Sequence, residues 1–191
     1  MKVVAFNGSA RKDGNTTQLV QAVFSELTSA GIETEIVEMS GTHPHGCINC
    51  RQCFARKDRR CAVTSDPMNE WIAKMDAADG IILASPTYFA DVTTELKALI
   101  DRSGFVAKAN GDMFRRKIGA AVVAVRRAGA IHAFDTINHF FFISQMIVPG
   151  SSYWNIGYGR EVGEVQADEE GLRTMRVLGE NMAWLFGKTS Q

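Results

Sequence analysis

The chain has 191 residues, 46% of them hydrophobic, and its 21 Lys and Arg are balanced by 21 Asp and Glu. That length suits one domain around a large core, and a net charge near zero gives no electrostatic pull toward nucleic acid or an anionic membrane. The N-terminus "MKVVAFNGSARKDGN" turns polar too soon for a signal peptide, and the longest apolar run, "HFFFISQMIVPG", falls short of the ~20 residues that span a bilayer, so we expect a cytoplasmic protein.

The predicted elements alternate along the chain. "KVVAF" (2–6) is a strand, followed by a helix from Thr16 to Ala30 whose apolar positions Leu19, Val20, Val23, Phe24 and Leu27 keep a helical period, with Gly31 as its stop. "ETEIVEM" (33–39) is a second strand. Asp66 then caps a helix with Pro67 at its first position and Met68, Trp71, Ile72 and Met75 on one face. "GIILAS" (80–85) is a short apolar strand, followed by a helix through "TTELKALIDRS" and the strand "IGAAVVAV" (118–125). A helix around "FDTINHFFFISQM", a fifth strand at "MIVPG" and a last helix from about 168 to 186 complete the chain. We expect Trp71 and Trp184 in the core, "HFFFISQM" in a buried or interface helix, and Tyr153 and Trp154 within reach of a neighbouring subunit.

This alternation indicates an α/β doubly wound sheet, and strands as uniformly apolar as "GIILA" and "AAVVAV" fit a parallel sheet covered on both faces. Ligands of such folds bind beyond the carboxyl ends of the strands, so the informative loops follow the first, third and fourth strands. The first, "GSARKDGNTT", packs hydroxyls, a fixed cation and two glycines between a strand and a helix N-terminus, where unpaired N–H groups favour an anion. It is neither a Walker loop nor G-x-G-x-x-G, because Asn15 stands where the Walker lysine would be. Ser9, Arg11, Thr16 and Thr17 suit a terminal monophosphate; the plainer alternative is a turn capped by Asn15 or Thr16. In the loop after the third strand, Pro86 stiffens the chain while Tyr88 and Phe89 offer flat surfaces.

The four cysteines lie within fifteen residues: Cys47, Cys50, Cys53 and Cys61, spaced C-x2-C-x2-C-x7-C. A disulfide framework is disfavoured in a cytoplasmic protein of this size. Zinc sites commonly use two separated knuckles, whereas a compact run of cysteines with a nearby fourth suits a [4Fe–4S] cluster. Free or redox-active thiols are the third reading.

The segments "NGSARKDGNTTQL" (7–19), "CINCRQC" (47–53) and "SPTYFADVTTELKALIDRSG" (85–104) resemble the flavodoxin-like NAD(P)H-dependent FMN reductases and, within them, the iron–sulfur flavoproteins. The resemblance fades after about residue 150. It implies a flavodoxin-like five-stranded parallel sheet with FMN at the carboxyl ends of the strands, and assembly into homodimers or homotetramers. It places Ser9, Arg11, Asn15, Thr16 and Thr17 at the flavin phosphate, and Pro86, Thr87, Tyr88 and Phe89 at the isoalloxazine. The iron–sulfur subgroup carries a cysteine run at this point, which favours the cluster with Cys47, Cys50, Cys53 and Cys61 as ligands. The third loop departs from the pattern, reading "VRRAGAIHAFD". Here Arg126, Arg127 and Gly129 are expected at the cofactor, one arginine facing the reduced flavin and the other a pyridine-nucleotide phosphate; the alternative is a solvated basic turn. His132 is expected simply to start a helix.

The expected activity is an FMN-dependent oxidoreductase that takes hydride from NAD(P)H and passes electrons to a flavin, a quinone or another acceptor. The alternative is an electron carrier exchanging electrons with a protein partner.

Overall fold

The computed structural model describes residues 1–189. Five parallel strands form one sheet: β1 (Lys2–Asn7), β2 (Glu33–Glu38), β3 (Gly80–Pro86), β4 (Ile118–Val125) and β5 (Ile156–Tyr158). Their spatial order is β2-β1-β3-β4-β5. The helices are α1 (Asn15–Ser29), α2 (Gln52–Arg56), α3 (Met68–Ala77), α4 (Thr94–Ala109), α5 (Ala130–Ile143) and α6 (Glu169–Thr189). Among the described residues no helix is long and apolar enough to cross a membrane.

Alternation along the strands divides the core into two layers. Val4, Phe6, Ile81, Leu83, Ala121 and Val123 point to one face, where α3, α4 and α5 cover them. Val3, Ala5, Ile82, Ala84, Ala120 and Val122 point to the other, beneath α1 and α6. The register places Phe6 beside both Val37 and Leu83, so the carboxyl ends of β1, β2 and β3 lie level. From β1 the chain runs outward to β2, then returns across the sheet to β3. The loops leaving β1 and β3 therefore diverge to opposite faces and leave a crevice between them.

Four strands lie where the sequence places them, and the fifth does not. The run 146–150 contributes only an isolated bridge between Ile147 and Ile118. Pro149 has no N–H to donate, so the ladder stops there, and pairing with β4 resumes at Ile156. The long connection after β2 also contains a helix, α2, that the sequence reading omitted. Helix α5 begins earlier than expected, at Ala130; it buries Phe140 and Phe141 and exposes Phe142 and Ile143. His132 is exposed in its first turn.

Trp71 is in the core, as expected. Trp184 is not: it is 64% exposed, with Lys188 Nζ 5.8 Å from its ring centroid. The buried stripe of α6 runs Met175, Leu178, Met182 and Phe186, and Trp184 falls on the opposite side of the helix.

Helices α1 and α6 pack closely through Gly179, where a Cβ would lie 2.6 Å from the Val23 carbonyl oxygen. Alanine is the better helix former by about 1 kcal/mol, but backbone cannot yield as a flexible side chain can. Gly179→Ala should therefore lose about 1–2 kcal/mol in urea unfolding; a gain in stability would contradict this packing.

Candidate functional site

The loop after β1 is held from below by Asn7, which is fully buried. Its Nδ2 donates to Thr17 Oγ1 (2.9 Å) and Glu38 Oε2 (2.8 Å), and its Oδ1 accepts from the Ser9 amide (3.1 Å). Burial pushes the Glu38 carboxyl up, and the Asn7 amide partly offsets it. Ser9 Oγ accepts from the Arg11 amide (3.1 Å) and donates to the Arg11 carbonyl (3.0 Å), closing a tight ring. Gly8 is required by packing rather than by a ligand, since a Cβ there would lie 2.6 Å from Thr93 Oγ1 at the start of α4.

Helix α1 begins without a side-chain cap, Gly14 occupying the capping position. The amides of Asn15, Thr16 and Thr17 thus have no carbonyl partner. The Thr16 hydroxyl enters no hydrogen bond among the described residues, although the residue is only 1% exposed. These donors, together with Arg11, form an anion seat. Asn15 and Thr17 support it through other bonds. Asn15 Nδ2 donates to the Glu161 carbonyl and its Oδ1 accepts from the Gly163 amide, both at 2.9 Å; the Thr17 hydroxyl donates to the Lys12 carbonyl.

From β3, Pro86, Thr87 and Tyr88 line the same cleft. The Thr87 amide and hydroxyl both donate to the Ala124 carbonyl, at 2.8 and 3.1 Å, which ties this loop to the end of β4. Tyr88 and Asp91 exchange backbone hydrogen bonds around Phe89 and Ala90, both in left-handed conformations (φ 48° and 63°). That conformation is strained for a bulky residue, and the Phe89 ring projects fully into solvent. From β4, Arg126 lines the cleft with Ser9, Arg11 and Thr16.

Phe89, Arg127 and Gly129 lie outside this cleft. Arg127 and Gly129 border a neighbouring cavity with Tyr153, Trp154 and Tyr158. Tyr153 and Trp154 are exposed and tilted together, with ring centroids 5.9 Å apart. The sequence reading missed Gly159 and Arg160, which close the cleft from the β5 side. The Arg160 carbonyl accepts from Arg11 Nη1 at 3.1 Å.

The connection between β2 and α3 brings all four cysteines to one cavity, walled by Arg102, Phe105 and Val106 of α4. All four thiols are free, and Cys53 and Cys61 pack against the core. Among the described residues, no three His, Cys, Asp or Glu side chains form a group that would hold a single metal ion. Burial pushes the Cys53 thiol up, and the proximity of Cys61 and Cys50 adds to this. Five non-glycine residues of the connection are left-handed: His43, Asn49, Arg51, Lys57 and Arg59. Backbone of this kind persists where its surroundings over-determine it.

The organising contact is Arg102, which is 1% exposed and was overlooked in the sequence. Its Nη1 donates to Asp66 Oδ2 (2.5 Å) and the His45 carbonyl (3.1 Å), its Nη2 to the Val63 carbonyl (2.9 Å) and its Nε to Cys61 Sγ (3.3 Å). Asn69 of α3 holds the Cys61 backbone by reciprocal bonds of 2.7 and 3.0 Å. The cations between Cys53 and Cys61, Arg56, Lys57, Arg59 and Arg60, are exposed, and Arg59 pairs with Asp76. A charged residue at position 102 interrupts the buried stripe Leu99, Ser103 and Val106, and that was the available signal.

The NADPH-dependent FMN reductase family model matches residues 1–161. An iron–sulfur flavoprotein of Methanocaldococcus jannaschii is 38% identical over 190 residues, covering 96% of each chain. An iron–sulfur flavoprotein of Methanosarcina thermophila is 32% identical over 186 residues, covering 93% of this chain and 95% of its own. The similarity thus continues well beyond residue 150, where the recognisable motifs end. An NAD(P)H:quinone oxidoreductase from Methanothermobacter marburgensis shares the fold, with a TM-score of 0.69 at 13% identity over 95% of this chain and 96% of that one. The family match defines a flavin oxidoreductase, and the fold is flavodoxin-like. The chain belongs to the NADPH-dependent FMN reductase family and, within it, to the iron–sulfur flavoproteins.

The Arg102–Asp66 pair makes a pH prediction. Burial raises the Asp66 carboxyl, but the Arg102 guanidinium and the His45 and Met68 amides outweigh it and hold it below its ordinary value. Replacing Asp66 by Asn strands a buried cation, at a cost of about 3–5 kcal/mol near neutral pH. A depressed folded pKa means that the ion pair's contribution is fully present above the unfolded value of about 3.9 and is lost as pH falls through the folded one. Urea unfolding of wild type and Asp66→Asn should converge at acid pH; a gap independent of pH would contradict the pairing.

Proposed function

We propose that the anion seat at α1 binds the phosphate of FMN, and that the chain accepts hydride from NAD(P)H for transfer to a flavin, a quinone or another acceptor. The observation that carries this is the convergence of the loops after β1, β3 and β4 on one cleft at the open N-terminus of α1. A terminal phosphate fits there because the first-turn amides, the Thr16 hydroxyl and the Arg11 guanidinium are all donors, and no carboxylate lines the cleft. When bound, FMN supplies the acceptance of a hydride and its division into single electrons.

The protein's own part is to bind, orient and exclude water. Pro86, Thr87 and Tyr88 present a stiff wall to a planar ring, and the bonds from Thr87 to Ala124 fix its distance from β4. Arg126, on the same cleft, offers its charge to the anionic form of a reduced ring. Arg127, in the adjoining cavity beside Tyr153 and Trp154, would meet a phosphate of the pyridine-nucleotide donor. No acid–base triad is invoked, because the cofactor carries the redox chemistry.

The cysteine cavity favours the second reading, in which the chain also exchanges single electrons with a protein partner. Four thiols around one cavity suit a [4Fe–4S] cluster, whose ligands are four thiolates. Cys47, Cys50, Cys53 and Cys61 would hold it as thiolates.

Removing Arg11 or the Thr16 hydroxyl should each weaken FMN binding about tenfold or more, as expected for a charge-assisted hydrogen bond of about 1.5–3 kcal/mol. Arg127→Ala should keep FMN affinity and slow reduction by NADPH. Flavin fluorescence quenching with Arg11→Ala and Thr16→Val, and stopped-flow reduction of Arg127→Ala, measure these effects. Wild-type affinity in both cleft variants would remove the phosphate assignment.

A further inference from the structure

Among the described residues, Arg102 is the one cation that donates a hydrogen bond to a thiol. Its two Nη atoms already account for the structural task, since they hold His45, Val63 and Asp66 and so pin both ends of the cysteine-bearing connection to α4. The fourth contact, from Nε to Cys61 Sγ at 3.3 Å, adds little to loop architecture while the sulfur is a neutral thiol, which is a weak acceptor. It becomes strong when that sulfur is anionic. Cys61 is also the cysteine farthest along the chain from the others, reached only after the excursion 54–60, and Asn69 fixes its backbone from the other side.

Resting on the cluster reading above, we propose that Arg102 is a positioning residue for the iron–sulfur centre. It fixes Cys61 as the fourth ligand, and its Nε–H···S bond stabilises the centre's reduced state. Reduction is the uptake of one electron, from reduced flavin or another low-potential donor. No bond breaks and no proton moves, and the centre gains one negative charge. A guanidinium keeps its charge in both states, so its attraction to the ligand sulfur grows on reduction, and hydrogen bonds to the sulfurs are among the factors that set such potentials. Asp66 cancels the net charge of the pair at longer range but is not on the donor side facing the sulfur. Lysine cannot replace this arrangement. Its single nitrogen carries three donors, whereas Arg102 spreads four bonds over three atoms.

The test uses full-length protein reconstituted anaerobically with iron and sulfide: wild type, Arg102→Lys, and the double variant Arg102→Gln with Asp66→Asn, which removes both buried charges together. Iron per chain, FMN per chain and the midpoint potential from EPR-monitored dithionite titration are measured on each. Variants that keep their FMN should either lose iron or hold a cluster that is harder to reduce. The expected shift is about tenfold in the reduced-to-oxidised ratio at the wild-type midpoint, which for one electron is about 59 mV. Loaded variants at the wild-type potential would overturn this proposal and leave the cluster reading intact. Parallel loss of iron, FMN and far-UV dichroism in both variants would make Arg102 a residue of the fold alone and also overturn it. Wild type that takes up no iron would overturn the cluster reading and this proposal together.

Discussion

A buried ion pair, Arg102 with Asp66, holds together the part of the molecule that the sheet does not reach. Side-chain exposures of 1% and 3% place both charges out of water, where each is costly unless paired and hydrogen-bonded. The segment 40–67 contains one short helix and no strand, and most of its residues are exposed. A connection of that length buries too little apolar surface to offset the entropy of ordering it. Its order therefore rests on a few strong ties, and Arg102 supplies more of them than any other side chain. The cavity that gathers the cysteines is a consequence of those ties.

Helix α4 links that cavity to the cleft at the strand ends. Its first turn packs under the β1 loop, where Thr93 meets Gly8, and the Thr93 amide donates to Ser85 Oγ at the end of β3 (3.1 Å). Arg102 lies nine residues further on, about 13.5 Å along the helix axis at 1.5 Å per residue. The two cavities share no lining residue. One rigid element thus sets the position of the anion seat and of the thiols without their touching. A doubly wound sheet can carry two separate cavities in this way: one from the switch in strand order, the other from a long insertion lashed to a helix.

How much of this the sequence disclosed follows from where each signal resides. Strands β1, β3 and β4 were legible because buried parallel strands are short apolar runs bounded by turns, whereas β2 is a half-buried edge strand with only Ile36 and Val37 as its apolar centre. β5 was not legible: Ile156, Gly157 and Tyr158 make a weak pattern, while the stronger run at 146–148 ends in a proline that cannot pair. That error hid Gly159 and Arg160, which follow the true strand and close the cleft. The donors at the start of α1 could be named together because they share one loop with the helix start. Arg127 was less so, since adjacent residues on a turn face different cavities and only the backbone decides which. Arg102 was hidden by its company, a cation on a buried stripe whose partners lie far away in sequence. The cations adjacent to the cysteines in sequence are exposed instead, because proximity along the chain does not decide which charge packs against them.

In the reading proposed above, a flavin oxidoreductase of this family would carry a two-electron site at the cleft and a cysteine-bound one-electron site on one chain. Anaerobic reductive titration of FMN-loaded protein, reconstituted with iron and sulfide, tests that claim most directly. Uptake of about three electrons per chain is expected, two at the flavin and one at the cluster, with an EPR signal appearing as the last enters. Uptake of about two electrons, with no signal beyond that of the flavin, would contradict it.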